Sequence, residues 1–490
     1  MSIVRITAYV LVALITSAFL YNQTQSLHRY LDFGWEYGNI AANLASGRGF
    51  SGPFGVSDQP TAWMPPLLVW VMAGIFTVLG TKSTAAAWAL MLLQLTELAV
   101  SVGILVHLGR RTVFASSAGW LVPIVAVYVW LDRVYLLGDF HDIATTILLS
   151  CLALAALERW LREERTGWLY GCALIIPLAN PVLAAAMTGI VLGRALVCRD
   201  RRRAALVATA LVVLSAGTWT VRNYLVMSVP APIKSNFWFD LWLANTVDED
   251  GILTSSTFAF EHPIHPDSPA GRRYTELGEA RFIADCRRLG RLHLQESPGG
   301  FAARIARRLR NALFWMDPEH DIEVCLAPLL APDEQQRLMD CDLIWMGGAP
   351  CWMYLGRSPE DARARIGKVG LRDPEAAYSS WLASRRLWSL QHRSWEGACR
   401  SLVHGMLPLL TMALGLLTPA VRREPAFQIA VGLYGLYLLP YIAISHYARY
   451  QLGLLGIQAL VVWFALASAV GMVRQDVYGV RSETEALREA

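Results

Sequence analysis

A carboxylate that takes a proton and an arginine that holds an anion leave different marks on a sequence, and this chain carries both. After its first apolar stretch comes Asp32-Phe33-Gly34-Trp35-Glu36-Tyr37-Gly38-Asn39, with Asn43 just beyond. On a helix Asp32, Glu36, Asn39 and Asn43 follow i, i+4, i+7 and i+11 and share one face. Such a helix can lie on a membrane surface and aim its acids into a cleft; the plainer reading is a solvated face. A second acidic string, Gly138-Asp139-Phe140-His141-Asp142, precedes another apolar block. There Asp142 either caps a helix N-terminus, where negative charge is favoured, or orients a substrate. Two basic strings follow, Thr218-Trp219-Thr220-Val221-Arg222-Asn223-Tyr224 and Ser445-His446-Tyr447-Ala448-Arg449-Tyr450. An arginine at the outer end of a span calls for a bound phosphate or a buried acid, and snorkelling explains tyrosines there better than arginines. Acids opposed by arginines describe an anionic ligand beside a catalytic carboxylate.

Whether these strings meet depends on the elements that carry them. The chain has 490 residues, 54% hydrophobic and 17% charged. That is too apolar for an ordinary soluble enzyme, and the net charge of +4 gives no reason to expect nucleic acid as a partner. Its apolar blocks have no polar face every three to four residues, so they read as membrane spans rather than core helices. Arg5, Arg110/Arg111, Arg159/Arg162/Arg165, Arg199–Arg203 and Arg422/Arg423 flank the blocks. Placing all of them in the cytoplasm gives about ten spans, near 6–22, 86–108, 113–131, 143–157, 168–179, 182–198, 204–221, 400–418, 426–444 and 452–473, with both termini inside. The apolar piece 66–79 is too short for a span and is kept as an interfacial or re-entrant helix in a first external loop, 22–85.

This topology divides the chain into an N-terminal membrane module (1–222), an extracytoplasmic segment (223–399), a C-terminal membrane module (400–474) and a cytoplasmic tail (475–490). All the acidic and arginine strings then reach one outer face. The Gly- and Pro-rich stretch 47–66 must fold back on itself there, as a functional loop or a structural cap. In the external segment Asn236, Trp238, Asp240, Trp242 and Asn245 form either a sugar-lining stretch or an ordinary amphipathic element. RIARRLR, 304–310, reads as a basic amphipathic helix lying on anionic headgroups or facing solvent. Cys151, Cys172 and Cys198 read as inert fillers within spans. An oxidising compartment would allow disulfides among Cys286, Cys325, Cys341, Cys351 and Cys399, in a pairing that spacing does not fix.

Several strings, taken in order, resemble the GT-C superfamily of membrane glycosyltransferases, nearest to the family 39 or protein-mannosyltransferase-like group, which includes bacterial lipid A aminoarabinose transferases. They are EYGNIAANLASGRGFSGPF and PTAWMPPLL in the first loop, the helix end Phe76-Thr77-Val78-Leu79-Gly80, TWTVRNY and the closing HYARYQ. The resemblance runs through nearly all of the membrane part and stops soon after residue 223. It implies a GT-C-type all-α bundle with juxtamembrane helices in the first external loop and an extracytoplasmic α or α+β segment. It also implies inverting transfer of a sugar from a polyprenyl-phosphate donor to a lipid, glycan or protein acceptor, on the outer face of a bacterial inner membrane.

In that family a first-loop acid is essential, which maps onto Glu36 beside Tyr37, with Asp32 as competitor. Phe33-Gly34-Trp35 stands where many relatives carry an aspartate, so the choice between the two stays open. Arg222 and Arg449 are then the phosphate clamps, with His446 assisting and Asn223 and Tyr450 binding substrate. Asp142 orients the acceptor or ligates a divalent ion. Family 39 relatives generally work without metal, so no metal ligand is assigned and the lipid-linked sugar and membrane lipids are the expected partners. A transporter or flippase of lipid-linked or anionic substrates is the alternative, to which only Glu97, His107 and the Asn180-Pro181 break lend themselves, without a visible repeat. A non-catalytic scaffold is the third.

Overall fold

A computed structural model describes residues 2–24, 31–55, 58–247, 262–264, 268–314 and 395–470, with scattered residues between 331 and 379. Among these the chain is helical, with a single isolated bridge between Ser51 and Pro60. Seven helices are long and apolar enough to cross a membrane: Ile3–Leu20, Thr84–Arg110, Ile143–Glu163, Arg199–Met227, Ala398–Leu417, Pro425–Ala443 and Arg449–Val470. Three other blocks read as spans form shorter helices, within Ala115–Leu131, Gly167–Leu178 and Pro181–Val197.

The shortening has local causes. Ala115–Trp120, rich in Ser and Gly, winds as a 3₁₀ turn before Leu121–Leu131. Pro177 ends one helix in a second 3₁₀ turn, and Pro181 opens the next, where its missing N–H costs nothing. Asn180 caps that helix by accepting from the Leu183 N–H at 3.0 Å. Its amide also reaches Thr146 and Tyr437, both at 3.4 Å, so the break stitches three helices together. Pro66–Leu79 is the expected 14-residue helix, packed on Glu36–Ala45 and stopped by Gly80 at φ 94°.

The basic turns gather at one end of the bundle. Arg111 pairs with Glu158 at 3.3 Å and with Glu163. Arg162 reaches the same Glu158 at 2.6 Å and also Glu424. Arg201 meets Glu164 at 3.0 Å. Helix ends far apart in sequence are thereby tied together, and the acidic and aromatic strings fall at the opposite end.

Within residues 223–399 the longest described stretches are helical, with 228–236 an irregular connection. Pro269–Glu296 and Phe237–Trp242 pack around a small core of Trp63, Phe239, Tyr274, Phe282 and Cys286, while Pro298–Phe314 packs on Ser401–Met406 and Pro425–Ala443. The RIARRLR helix does not lie flat on headgroups or face water throughout. Arg304 and Arg308 turn inward, and Arg308 is wholly buried. Arg308 donates to the carbonyls of Ile442 at 2.8 Å and Ala443 at 3.0 Å, the orphaned C-terminal acceptors of the Pro425–Ala443 helix. A cation that solvates a helix end explains the burial better than a surface role does. Cys286 and Cys399 are free thiols, Cys151 and Cys172 are buried, and Cys198 is partly exposed. Cys325, Cys341, Cys351 and the 475–490 tail lie outside the described residues.

Glu279 joins the external helices to the first loop. Its buried carboxylate accepts from Thr61 Oγ1, the Ala62 N–H (2.8 Å), Ser235 Oγ (2.7 Å) and Tyr274 OH (3.1 Å). The preceding Gly278 sits at φ 71°, a kink that turns Glu279 toward Thr61, and a Cβ there would meet Gln59 Oε1 at 2.7 Å. Glu279→Ala strands these donors in a dry core, at a cost of roughly 3 kcal/mol or more. The expected result is a lower apparent Tm of the detergent-purified protein, with Glu279→Gln falling between the two; an unchanged melting curve would refute the role.

Candidate functional site

The turn before Glu36 is the most unusual backbone in the described chain. Phe33, Gly34 and Trp35 all take positive φ, 53°, 62° and 56°, a region that costs a non-glycine residue about 1–2 kcal/mol. The reversal is anchored by Phe33, buried edge-on against Phe76 at 5.2 Å. It also requires Gly38, whose Cβ would lie 2.6 Å from Phe33 O. Glu36 therefore opens the Glu36–Ala45 helix, and Asp32 sits in the turn before it.

The expected common face of Asp32, Glu36, Asn39 and Asn43 is not formed. Asn39 donates to Pro53 O at 2.9 Å and Asn43 to Ser51 O at 3.0 Å, so this side of the helix binds the fold-back loop. Positive φ at three successive residues breaks the helical register that the spacing assumed.

Beyond the turn lies a cavity of about 1010 Å³, walled by the bundle on one side and the helices Phe237–Trp242 and Pro269–Glu296 on the other. Glu36, Tyr37, Asp32, Asp142, Arg449 and Tyr450 all line it, although they come from sequence positions hundreds of residues apart. Tyr37 OH donates to Asp142 Oδ2 at 3.1 Å. Asp142 precedes the Ile143–Glu163 helix but makes no side-chain capping bond, and its carboxylate lies at the cavity instead. Asp139 pairs with His141 at 3.1 Å.

Electrostatically the cavity is mixed. Burial pushes the Glu36 carboxyl above its ordinary value, while Arg449, Lys234 and His141 pull it back only in part. Asp240 is pushed up to about 6, chiefly by burial, with the Glu36 charge adding to it. Burial and the facing Asp142 hold the Tyr37 phenol well above the usual range. The site thus holds carboxylates whose affinity for a proton is raised by burial, beside cations, a combination suited to proton transfer next to an anion.

Three predicted binding residues lie elsewhere. Arg222 donates to Thr61 O at 2.7 Å, Phe50 O at 3.1 Å and Asn223 Oδ1 at 3.0 Å, with its guanidinium between the rings of Phe50 and Trp219. Asn223 is buried and donates to Ala231 O at 2.8 Å. The pair fastens the first loop to the end of the Arg202–Met227 helix, and neither residue lines the cavity that holds Glu36. His446 is buried beside Arg308 and Gln451, and burial followed by the Arg308 charge pushes its imidazole down to about 3. It does not line the cavity that holds Glu36. Arg222→Met is accordingly expected to raise proteolytic sensitivity within residues 47–63 and lower the apparent Tm by about 2–4 °C, for roughly 1 kcal/mol lost. Unchanged cleavage would argue against the fastening role.

The cavity also collects residues that the sequence reading passed over: Lys234, His262, Arg287 and Arg400. Of the polar-aromatic stretch, Asn236, Trp238 and Asp240 reach it, whereas Trp242 packs in the external core and Asn245 binds Leu241 O and Ile444 O. Lys234 and Arg287 stand in strings without spacing of their own, and only tertiary contact reveals them. Among the described residues no three His, Cys, Asp or Glu side chains are grouped to hold a metal ion. The chain matches no protein-family model, no curated protein and no solved structure.

Proposed function

We propose that this chain is a GT-C-type membrane glycosyltransferase that moves a sugar from a polyprenyl-phosphate donor to a lipid, glycan or protein acceptor. The observation that carries the reading is one large cavity holding a buried carboxylate, Glu36, together with Arg449 and Lys234, at the end of the bundle opposite the basic turns. With the three shorter helices counted as spans, the chain crosses about ten times. The basic turns then lie in the cytoplasm and the cavity opens outside, in a bacterial inner membrane.

In this reading Glu36 takes the proton of an acceptor hydroxyl as its oxygen attacks the anomeric carbon. The bond from that carbon to the phosphate oxygen breaks on the opposite face, and configuration inverts. Arg449 and Lys234 receive the phosphate, which leaves with its own charge and needs no acid. Asp142, through Tyr37, orients the attacking group. Trp238 offers a face for a sugar, and Ala179, Val182 and Ala185 offer an apolar wall for the first prenyl units. The donor carries its own activation, so no further cofactor enters the scheme.

The test is to incubate the purified protein with polyprenyl-phosphate sugars and an envelope lipid and glycan extract, and to follow the products by mass spectrometry. A new glycosidic product with release of polyprenyl phosphate is expected. Movement of intact donor across vesicles without any covalent product would replace this reading with the flippase one.

A further inference from the structure

Glu36 has a neighbour that no motif announces. His262, from the short described stretch between the two parts of the external segment, is nine-tenths buried and lines the same cavity. The Ile264 N–H donates to His262 Nδ1 at 3.2 Å, which makes that nitrogen an acceptor. In a neutral imidazole the proton must then sit on the other nitrogen. That nitrogen, Nε2, faces Glu36 Oε1 at 3.5 Å.

The ring has little freedom to turn away. Phe54, Trp63 and Phe239 enclose it edge-on at 5.4, 5.8 and 5.5 Å. Its backbone carbonyl accepts from Ser268 Oγ at 3.2 Å. The cage itself is braced, because the Trp63 N–H donates to Thr61 Oγ1 at 2.9 Å and Thr61 is bound by Glu279. A fixed tautomer in a fixed orientation aimed at one carboxylate oxygen is what orients a base.

We propose that His262 is a positioning residue for Glu36: its Nε2–H holds Oε1, so that Oε2 is turned toward the acceptor hydroxyl. The part played by the acceptor rests on the transferase reading; the pairing of the two side chains does not. Other groups face Glu36 as well, namely Arg449, Lys234, His141, Asp240, Tyr37 and Tyr450. All of them stay in place when only His262 is changed, so a resulting shift reports on His262.

The experiment titrates Glu36 directly in the full-length protein in detergent micelles, by ¹³C NMR of labelled glutamate, with its signal identified by loss in Glu36→Gln. A donor that stabilises the carboxylate lowers its pKa, so His262→Leu should raise the Glu36 midpoint by about one pH unit. His262→Asn, shorter but polar, removes the donor without an apolar replacement and should raise it similarly. His262→Gln keeps an N–H of comparable reach and should return the midpoint most of the way, and the acid limb of the pH–rate profile should follow the same order. An unmoved midpoint in both His262→Leu and His262→Asn, or a His262→Gln midpoint as high as theirs, would overturn the pairing. Since the titration needs no sugar donor, a fully active Glu36→Gln enzyme would overturn the role of Glu36 as base and leave the pairing standing, and absence of any transfer by the parent protein would overturn the transferase reading alone.

Discussion

Glu36→Gln is expected to reduce transfer at neutral pH by about 10²- to 10⁴-fold, the range spanned by a positioned general base, while leaving the melting temperature close to that of the parent. The amide is nearly isosteric with the acid and cannot take a proton, so chemistry is lost while packing is kept. Asp32→Asn should cost far less. Asp32 also lines the cavity, but it lies before the reversal, where its charge offsets part of the lowering that burial imposes on Lys82. A pH profile separates the two further. Burial holds the Glu36 acid form above the usual carboxylate range, so activity should fall as pH drops through that raised value, at a higher pH than an exposed glutamate would give. The limb should vanish from the residual activity of Glu36→Gln and persist in Asp32→Asn. If instead Asp32→Asn abolishes transfer and Glu36→Gln is fully active, the base is Asp32.

How much of this could be read in advance depends on the kind of signal. Hydropathy and the placement of arginines located the long helices, and the Asn180-Pro181 break and the short 66–79 helix both stand where local chemistry puts them. The grouping of Glu36, Tyr37, Asp142, Arg449 and Tyr450 was legible too, because sidedness alone sends those strings to one end of a bundle. Sidedness does not say which way a side chain points. Arg222 and Arg449 look alike in sequence, each an arginine at a helix end beside aromatics, yet one is consumed by the carbonyls of Phe50 and Thr61 and the other lines the cavity. His446 and His262 part in the same way, the motif-bearing histidine being shut away beside Arg308 and the unheralded one facing Glu36. The i, i+4 face failed for a different reason. Periodicity presumes a continuous helix, and Phe33-Gly34-Trp35 interrupts it with left-handed residues, two of them aromatic, that no propensity would favour.

Arg449→Gln should lower kcat by roughly 10²- to 10³-fold with a smaller change in KM, and the asymmetry follows from where charge grows. A polyprenyl-phosphate sugar is a phosphodiester with one negative charge, whereas the departing polyprenyl phosphate gathers a second as the glycosidic bond breaks. A fixed cation beside that phosphate therefore stabilises the transition state more than the bound donor, which is the condition for acceleration rather than mere affinity. Arg449 lines the cavity with its guanidinium 5.0 Å from the Tyr447 ring, an apolar and aromatic setting in which a charge acts strongly across a short distance. Arg449→Lys should recover part of the rate, since the charge returns without the planar fork. Losing a nearby cation lets the Glu36 midpoint rise, so the acid limb should shift upward in Arg449→Gln, in the same direction as in His262→Leu, and much less in Arg449→Lys. Equal losses in kcat and KM-derived affinity, with Arg449→Lys no better than Arg449→Gln, would show that the residue shapes the cavity and does not bear the charge of the leaving group.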